Sequence, residues 1–247
     1  MEAIVLAGGL GTRLRSVCAD RPKPMADVNG KPFLYHLMQY WKGQGVSHFI
    51  LSVGYLHEKV IDYFGHSFEG VPIDYAIEQS PMGTGGGLLL ALDHLFHLDK
   101  PVLSLNGDTY FEVPLQALKN YQITTGCAAC LSLLSVEKNT RYGGIKTLGS
   151  GQIVSFNEKS NLEPCLINGG CYLFQPGRLK QLFPSMLDHP VSLEADILSK
   201  LMSSNEAYGI VFDRYFLDIG IPEDYFQAFK KFSAHKEFQS TEILKSI

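Results

Sequence analysis

Long apolar runs are missing from this 247-residue chain, and with them the roughly 20-residue stretch that a helix needs to cross a bilayer. Basic runs are missing too. Lysine and arginine total 21 against 25 acidic residues, a net charge of −4, so the composition carries no footprint for a nucleic acid or a membrane surface. Cysteine is sparse. The five stand at 18, 127, 130, 165 and 171, an odd number without the density of a disulfide scaffold. Cys127 and Cys130 have C-x-x-C spacing, but they lie in an apolar run ending at Val136 and no second pair stands at zinc-ribbon distance, so they are expected to be small buried residues of a strand. There is no internal repeat or low-complexity tract. No signal peptide precedes the first strand, which begins by residue 3, and the expected compartment is the cytoplasm.

What the chain does have is a concentrated start. Ala3 to Ala7 has the composition of a buried strand, and Gly8-Gly9-Leu10-Gly11-Thr12-Arg13-Leu14 follows at once. Three glycines within four positions let the backbone turn tightly and bring its N–H groups to anionic oxygens. Arg13 adds a planar fork of donors suited to phosphate. Lys23, held between Pro22 and Pro24, adds a compact charge on a stiff strut. The pattern is that of a polyphosphate cradle. It is not a dinucleotide fingerprint, because the sixth place counted from Gly9 is Leu14, and it has no Gly-Lys-Ser/Thr of a Walker A loop.

Strands and helices alternate through the first half. A helix is expected from Phe33 to Lys42, a strand at Phe49–Val53, a short helix at Glu58–Phe64, a strand at Ile73–Ile77, a helix over Gly86–Phe96 and a strand at Val102–Leu105. Such alternation predicts a three-layer, Rossmann-like α/β sandwich with a mixed, mostly parallel central sheet, and ligands outside the carboxyl ends of its strands. The loop at 8–14, the turn at 79–86 and Asp108 each follow a strand, so they are expected on one rim. In the second half a hairpin is expected around Gly149–Gly151, a strand at Cys171–Phe174, a helix over Leu193–Met202, a strand near Tyr208–Phe212 and a helix after Pro222. One domain is expected over 1–247, with a first half at about 1–110, a second half at about 111–232 and a tail at 233–247.

Asp108 after Asn106-Gly107, and Asp218 before Ile219-Gly220, are two carboxylates at chain positions that suit the ends of strands. A magnesium ion is usually held by one or two carboxylates together with substrate phosphates, so the pair is expected to clamp one Mg²⁺. The alternative reading of each is local: an Asx-type turn for Asp108 and a helix-entry residue for Asp218.

Several blocks in order carry a resemblance. They are Leu6 to Leu14, Pro22 to Met25, Pro81-Met82-Gly83-Thr84-Gly85-Gly86, Leu105 to Asp108, Phe156-Asn157-Glu158-Lys159, Asn168-Gly169-Gly170, and Asp218 to Asp224. Together they span almost the whole chain, which resembles the sugar-1-phosphate nucleotidyltransferases, also called nucleotide-sugar pyrophosphorylases. With Arg141-Tyr142-Gly143-Gly144 and the short length, it looks closest to the D-glycero-α-D-manno-heptose 1-phosphate guanylyltransferases.

The resemblance implies in-line attack of a sugar 1-phosphate on the α-phosphorus of a nucleoside triphosphate, with Mg²⁺ and no protein nucleophile. Leu6, Ala7, Gly8, Gly9, Gly11, Thr12, Gly83 and Thr84 would border the nucleotide. Arg13 would hold the departing pyrophosphate, Lys23 would neutralise the α-phosphate, and Lys159 would bind the incoming sugar phosphate. Asn106, Gly144, Glu158, Asn168, Gly169 and Glu194 would face the sugar. The family's usual Glu-Lys-Pro is Glu158-Lys159-Ser160 here, which keeps the lysine without the rigid proline. Glu78 falls where relatives set a side chain against the base edge. A carboxylate only accepts, and guanine offers N1–H and the N2 amino group side by side, which favours GTP over uracil or thymine nucleotides.

Other readings stay open. Mannose 1-phosphate or another hexose phosphate could replace the heptose, with GTP, UTP or dTTP. A non-catalytic sensor of nucleotide-sugars would be expected to lack one cation or one carboxylate, and Arg13, Lys23, Asp108, Lys159 and Asp218 are all present. A homodimer, if formed, is expected to be built from the catalytic domain itself.

Overall fold

The computed structural model describes residues 1–9, 11, 14, 20–137, 141–157, 164–184 and 189–244, with the backbone alone at 157 and 234–244. The chain opens with β1 (Glu2–Leu6), the short strands β2 (Asp27–Val28) and β3 (Lys31–Pro32), and α1 (Phe33–Gly43). Next come β4 (His48–Val53), α2 (His57–Phe64), β5 (Ser67–Phe68), β6 (Val71–Ile77) and α3 (Gly83–Ala91). After them follow β7 (Val102–Asn106), β8 (Thr109–Phe111), α4 (Leu115–Thr125) and β9 (Ala129–Val136). The second half adds β10 (Gly144–Thr147), β11 (Ile153–Asn157), β12 (Cys165–Phe174) and α5 (Pro176–Leu182). A π-helical stretch at Leu193–Leu198 runs into α6 (Ser199–Ser203), and β13 (Ala207–Val211), β14 (Phe216–Asp218) and α7 (Pro222–Leu244) close the chain.

The central sheet has the order β11-β10-β12-β7-β1-β4-β6-β5, with β9 pairing β12 and β13. Strands β7, β1, β4 and β6 are parallel, while β12 runs antiparallel to β7 and begins the mixed half. This is the mixed, mostly parallel α/β sandwich expected. The connections from β1 run to β4 and β6 on one side, whereas β7 lies on the other, so the direction of winding reverses between β1 and β7. Such a switch point leaves a crevice at the carboxyl ends of the strands, here beside the register partners Leu6 and Asn106.

Alternation along β1 explains the two layers. Ala3 and Val5 pack with Leu37, Trp41 and Phe49 on one face, and Ile4 packs with Ile50, Leu88 and Leu92 on the other. In α1, Phe33, Leu34, Leu37, Met38 and Trp41 recur at helical spacing and are all fully buried. Each such side chain contributes about 1.5–3 kcal/mol of burial free energy.

Two expected boundaries move. Helix α3 begins at Gly83 rather than Gly86 and gives way after Ala91 to a 3-10 turn ending at His94, short of Phe96. A Gly-Thr-Gly-Gly-Gly start is a poor intrinsic helix, but the Val191 carbonyl accepts from the N–H groups of both Gly85 and Gly86 and so caps the first turn. The strand expected at Cys171–Phe174 begins at Cys165 and includes Asn168-Gly169-Gly170. The hairpin around Gly149–Gly151 forms as β10 against β11. Cys127 and Cys130 are buried free thiols, as their apolar setting suggests. Helix α7 continues to Leu244, across the point where a tail was expected. No helix among the described residues is long and apolar enough to cross a membrane.

Candidate active site

A cavity of about 760 Å³ opens at the carboxyl ends of the parallel strands, a size suited to a nucleotide. Leu6, Ala7, Gly8, Gly9 and Gly11 line it after β1, and Glu78, Gly83 and Thr84 line it after β6. Asn106 and Asp108 close the wall after β7, with Lys23 and Gly220 beside them. The rim read from the sequence is therefore one surface. Thr12, Arg13, Glu158 and Lys159 lie outside the described residues.

Glu78 is held at one end of the cavity. Its Oε2 accepts from the Met82 N–H at 3.1 Å and its Oε1 from the Ser52 hydroxyl at 3.4 Å. A Cβ on Gly8 would stand 2.2 Å from Oε1, and one on Gly87 would stand 2.9 Å from it. The Gly8 position is thus cleared for this carboxylate, a more specific reason than room for a phosphate. Burial raises the Glu78 carboxyl above its ordinary range, and the two hydrogen bonds only partly oppose that.

At the other end three charges converge. Pro22 precedes, and Pro24 lies within, a 3-10 turn at Lys23–Met25 that carries the lysine inward. Its Nζ lies 2.6 Å from Asp108 Oδ2 and 3.7 Å from Asp218 Oδ1. Antiparallel pairing of β8 with β14 brings the aspartates together, since Asp218 is the register partner of Thr109. The Ile219 N–H donating to the Asp108 carbonyl fastens the junction at 3.0 Å. Arg141 contacts the far oxygen of Asp218 at 3.6 Å and forms an ion pair with Asp224. The Asp218 carboxyl is pushed up by burial and then by the charge of Asp108, against the opposing pull of Lys23 and Arg141. The reading of Asp218 as a mere helix entry does not fit this setting.

The residues expected on the sugar side gather beyond Asn106. Pairing of β12 with β9 slips between Asn168 and Tyr172, so Gly169 and Gly170 form a bulge, a device that re-aims side chains. Asn168 Nδ2 donates to the Tyr172 hydroxyl at 2.7 Å and to Glu194 Oε1 at 3.2 Å, and its Oδ1 accepts from the Gly170 N–H at 3.1 Å. Gly169 lies against Phe111, whose ring would be 2.5 Å from an added Cβ. Gly144 pairs with Ile167, next to Asn168. These residues do not line the nucleotide-sized cavity itself. The Thr84 hydroxyl accepts from the Leu193 N–H at 3.0 Å, which ties α3 to the segment bearing Glu194.

Some neighbours were not singled out in the sequence. Ser52 supports Glu78, Arg141 and Asp224 flank Asp218, and Tyr55, His57 and Glu58 line the cavity after β4. The signal for the last three was present, because they too follow a parallel strand. Arg141 and Asp224 stood in blocks quoted for the resemblance but were given no role, and Ser52 carried no distinguishing local pattern.

The sequence profile described as nucleotidyl transferase matches residues 2–235. The chain belongs to the nucleotidyl transferase family. It is 40% identical over 232 residues to a D-glycero-α-D-manno-heptose 1-phosphate guanylyltransferase of Aneurinibacillus thermoaerophilus, covering 94% of this chain and 98% of that protein. A protein of the same description from Campylobacter jejuni is 40% identical over 92% of this chain and 97% of its own length. Among solved structures, HddC from Yersinia pseudotuberculosis complexed with GMP-PN superposes with a TM-score of 0.81 at 35% identity, covering 94% of this chain and 99% of that one. The fold and the family expected from the motifs therefore stand. The chain is a nucleotidyltransferase.

Proposed function

We propose that this nucleotidyltransferase joins GTP to D-glycero-α-D-manno-heptose 1-phosphate, giving GDP-heptose and pyrophosphate. The observation that carries the reading is the layout of one cavity, with a fixed carboxylate acceptor at one end and Lys23 between two aspartates at the other. Both Glu78 oxygens keep lone pairs beyond those given to Met82 and Ser52, enough to accept from guanine N1–H and N2–H. The two relatives at 40% identity support the choice of sugar.

The attacking phosphate oxygen is already an anion, so positioning and charge neutralisation supply most of the acceleration. The loop amides and Arg13 hold the departing pyrophosphate. Lys23 meets the charge on the α-phosphate, and Lys159 holds the sugar phosphate. Glu194 and the Asn168 Oδ1, linked through the Asn168 amide group, keep lone pairs that accept from sugar hydroxyls. Asp108 and Asp218 fit a divalent ion such as Mg²⁺, because both are hard oxygen donors and one ammonium already reaches both. The chemistry such an ion supplies when bound is neutralisation of charge on the phosphate oxygens. The free thiols among the described residues suit a reducing compartment such as the cytoplasm.

Pyrophosphate release, measured over GTP, UTP, CTP, dTTP and ATP against heptose, mannose, glucose and N-acetylglucosamine 1-phosphates, tests the reading. The expected outcome is strong turnover only for GTP with heptose 1-phosphate. Preference for UTP or dTTP would overturn the role of Glu78, and preference for mannose would overturn the sugar.

A further inference from the structure

Among the described residues, Lys23 is the only lysine or arginine that the fold buries, at 9% exposure. Its backbone is fixed. The Met25 N–H donates to the Pro22 carbonyl at 2.8 Å, and the Ala26 N–H to the Lys23 carbonyl at 3.0 Å. Its flexible four-carbon stem can still swing the ammonium between partners.

Each aspartate divides its oxygens in the same way. Asp108 gives Oδ2 to Lys23 at 2.6 Å, while Oδ1 accepts from the Thr109 hydroxyl at 3.2 Å. Asp218 turns Oδ1 toward Lys23 at 3.7 Å, where it also accepts from the Gly220 N–H at 2.8 Å, and turns Oδ2 toward Arg141. The inward-facing oxygens of the pair therefore converge on the ammonium. A divalent ion shared by Asp108 and Asp218 needs those same oxygens, and two cations on one pair of carboxylates repel.

We infer that Lys23 is a displaceable internal counter-ion, which bridges Asp108 and Asp218 until a divalent ion takes its place and frees the ammonium for the nucleotide phosphates. The inference rests on the proposed metal role of the two aspartates. The same side chain then occupies two sites in turn, one holding the carboxylates together and one facing the substrate. A nucleotide offers the freed ammonium a new partner, so metal and nucleotide bind with positive coupling, and metal alone binds weakly.

Mn²⁺ binding followed by electron paramagnetic resonance, with no nucleotide present, tests this in the wild-type protein and in Lys23→Met. Removing the competitor is expected to tighten Mn²⁺ binding about tenfold, the change expected if the ammonium fills the site about nine-tenths of the time. Unchanged or weaker binding by a folded Lys23→Met protein would overturn the inference. Asp108→Asn separates the two readings: if Mn²⁺ binding in the presence of GTP survives that change, the metal assignment itself fails. A second measurement needs no removal of the lysine from the tested protein. The Lys23 ammonium resonance of ¹⁵N-labelled wild type, assigned through Lys23→Arg, is expected to lose its ion-paired signature on Mg²⁺ titration. Persistence of that signature at saturating Mg²⁺ would overturn the exchange.

Discussion

The carboxylate of Glu78 occupies the space that a side chain on Gly8 would need: Oε1 would lie 2.2 Å from an added Cβ. One residue therefore decides what its neighbour after β1 can be. Gly8→Ala is expected to displace Glu78, cost about 1–3 kcal/mol as overpacking and raise KM for GTP. Urea denaturation and steady-state kinetics check this, and wild-type values in both would show that Glu78 is not fixed as described.

Glu78 also gives the site a pH dependence. Its ordinary pKa of 4.5 is raised in the folded protein, chiefly by burial. Between 4.5 and the raised value the folded state binds more protons than the unfolded one, so stability falls as pH rises through that window. The charged acceptor is complete only above it. Glu78→Gln is expected to abolish this component of the pH dependence and to lower the kcat/KM ratio of GTP to UTP. Denaturation curves and paired kinetics from pH 4.5 upward measure both.

Loss of Lys23 is expected to act on the chemical step. Lys23→Ala is expected to lower kcat by about 10²–10³-fold, the range for removing one preorganised donor from a developing charge, with a smaller effect on KM. Lys100, exposed and far along the chain, serves as control. Equal changes in Lys23→Ala and Lys100→Ala would contradict the role.

Asn168 supplies the donor that separates the sugar-side acceptors. Asn168→Asp sets a carboxylate against Glu194, where an amide now donates at 3.2 Å. KM for the sugar phosphate is expected to rise about tenfold or more, equivalent to ~1.4 kcal/mol. KM for GTP is expected to stay near wild type. A parallel rise in both would place Asn168 in structural support rather than sugar recognition.

His48 provides the opposite case, at the amino ends of the strands. Its Nδ1 lies 3.0 Å from Glu2 Oε1, its Nε2 lies 3.0 Å from Asp74 Oδ2, and its ring stacks on Phe96. His48→Leu leaves Glu2 with only the Phe96 and His97 N–H groups among these contacts. It is expected to lower stability by about 1–3 kcal/mol without changing kcat at a temperature where the variant stays folded. Thermal melts and kinetics separate the two effects.

Local chemistry and periodicity in the chain were enough for the alternating order of elements, the parallel first half and the shared rim, on which the structure places Lys23, Asp108 and Glu78. These follow from short-range rules, because a strand alternates every two residues and a phosphate loop must follow one. The start of α3 did not follow from such rules, since it depends on the Val191 carbonyl more than a hundred positions away. Nor did the bulge at Gly169 and Gly170, which exists only through pairing of β12 with β9. The meeting of Lys23 with two aspartates, one 85 positions along the chain, and the enclosure of Glu78 by Gly8, Gly87 and Ser52 were settled by the packed fold. Distances between groups remote in sequence come from strand pairing and close packing, for which no local pattern of residues is a substitute.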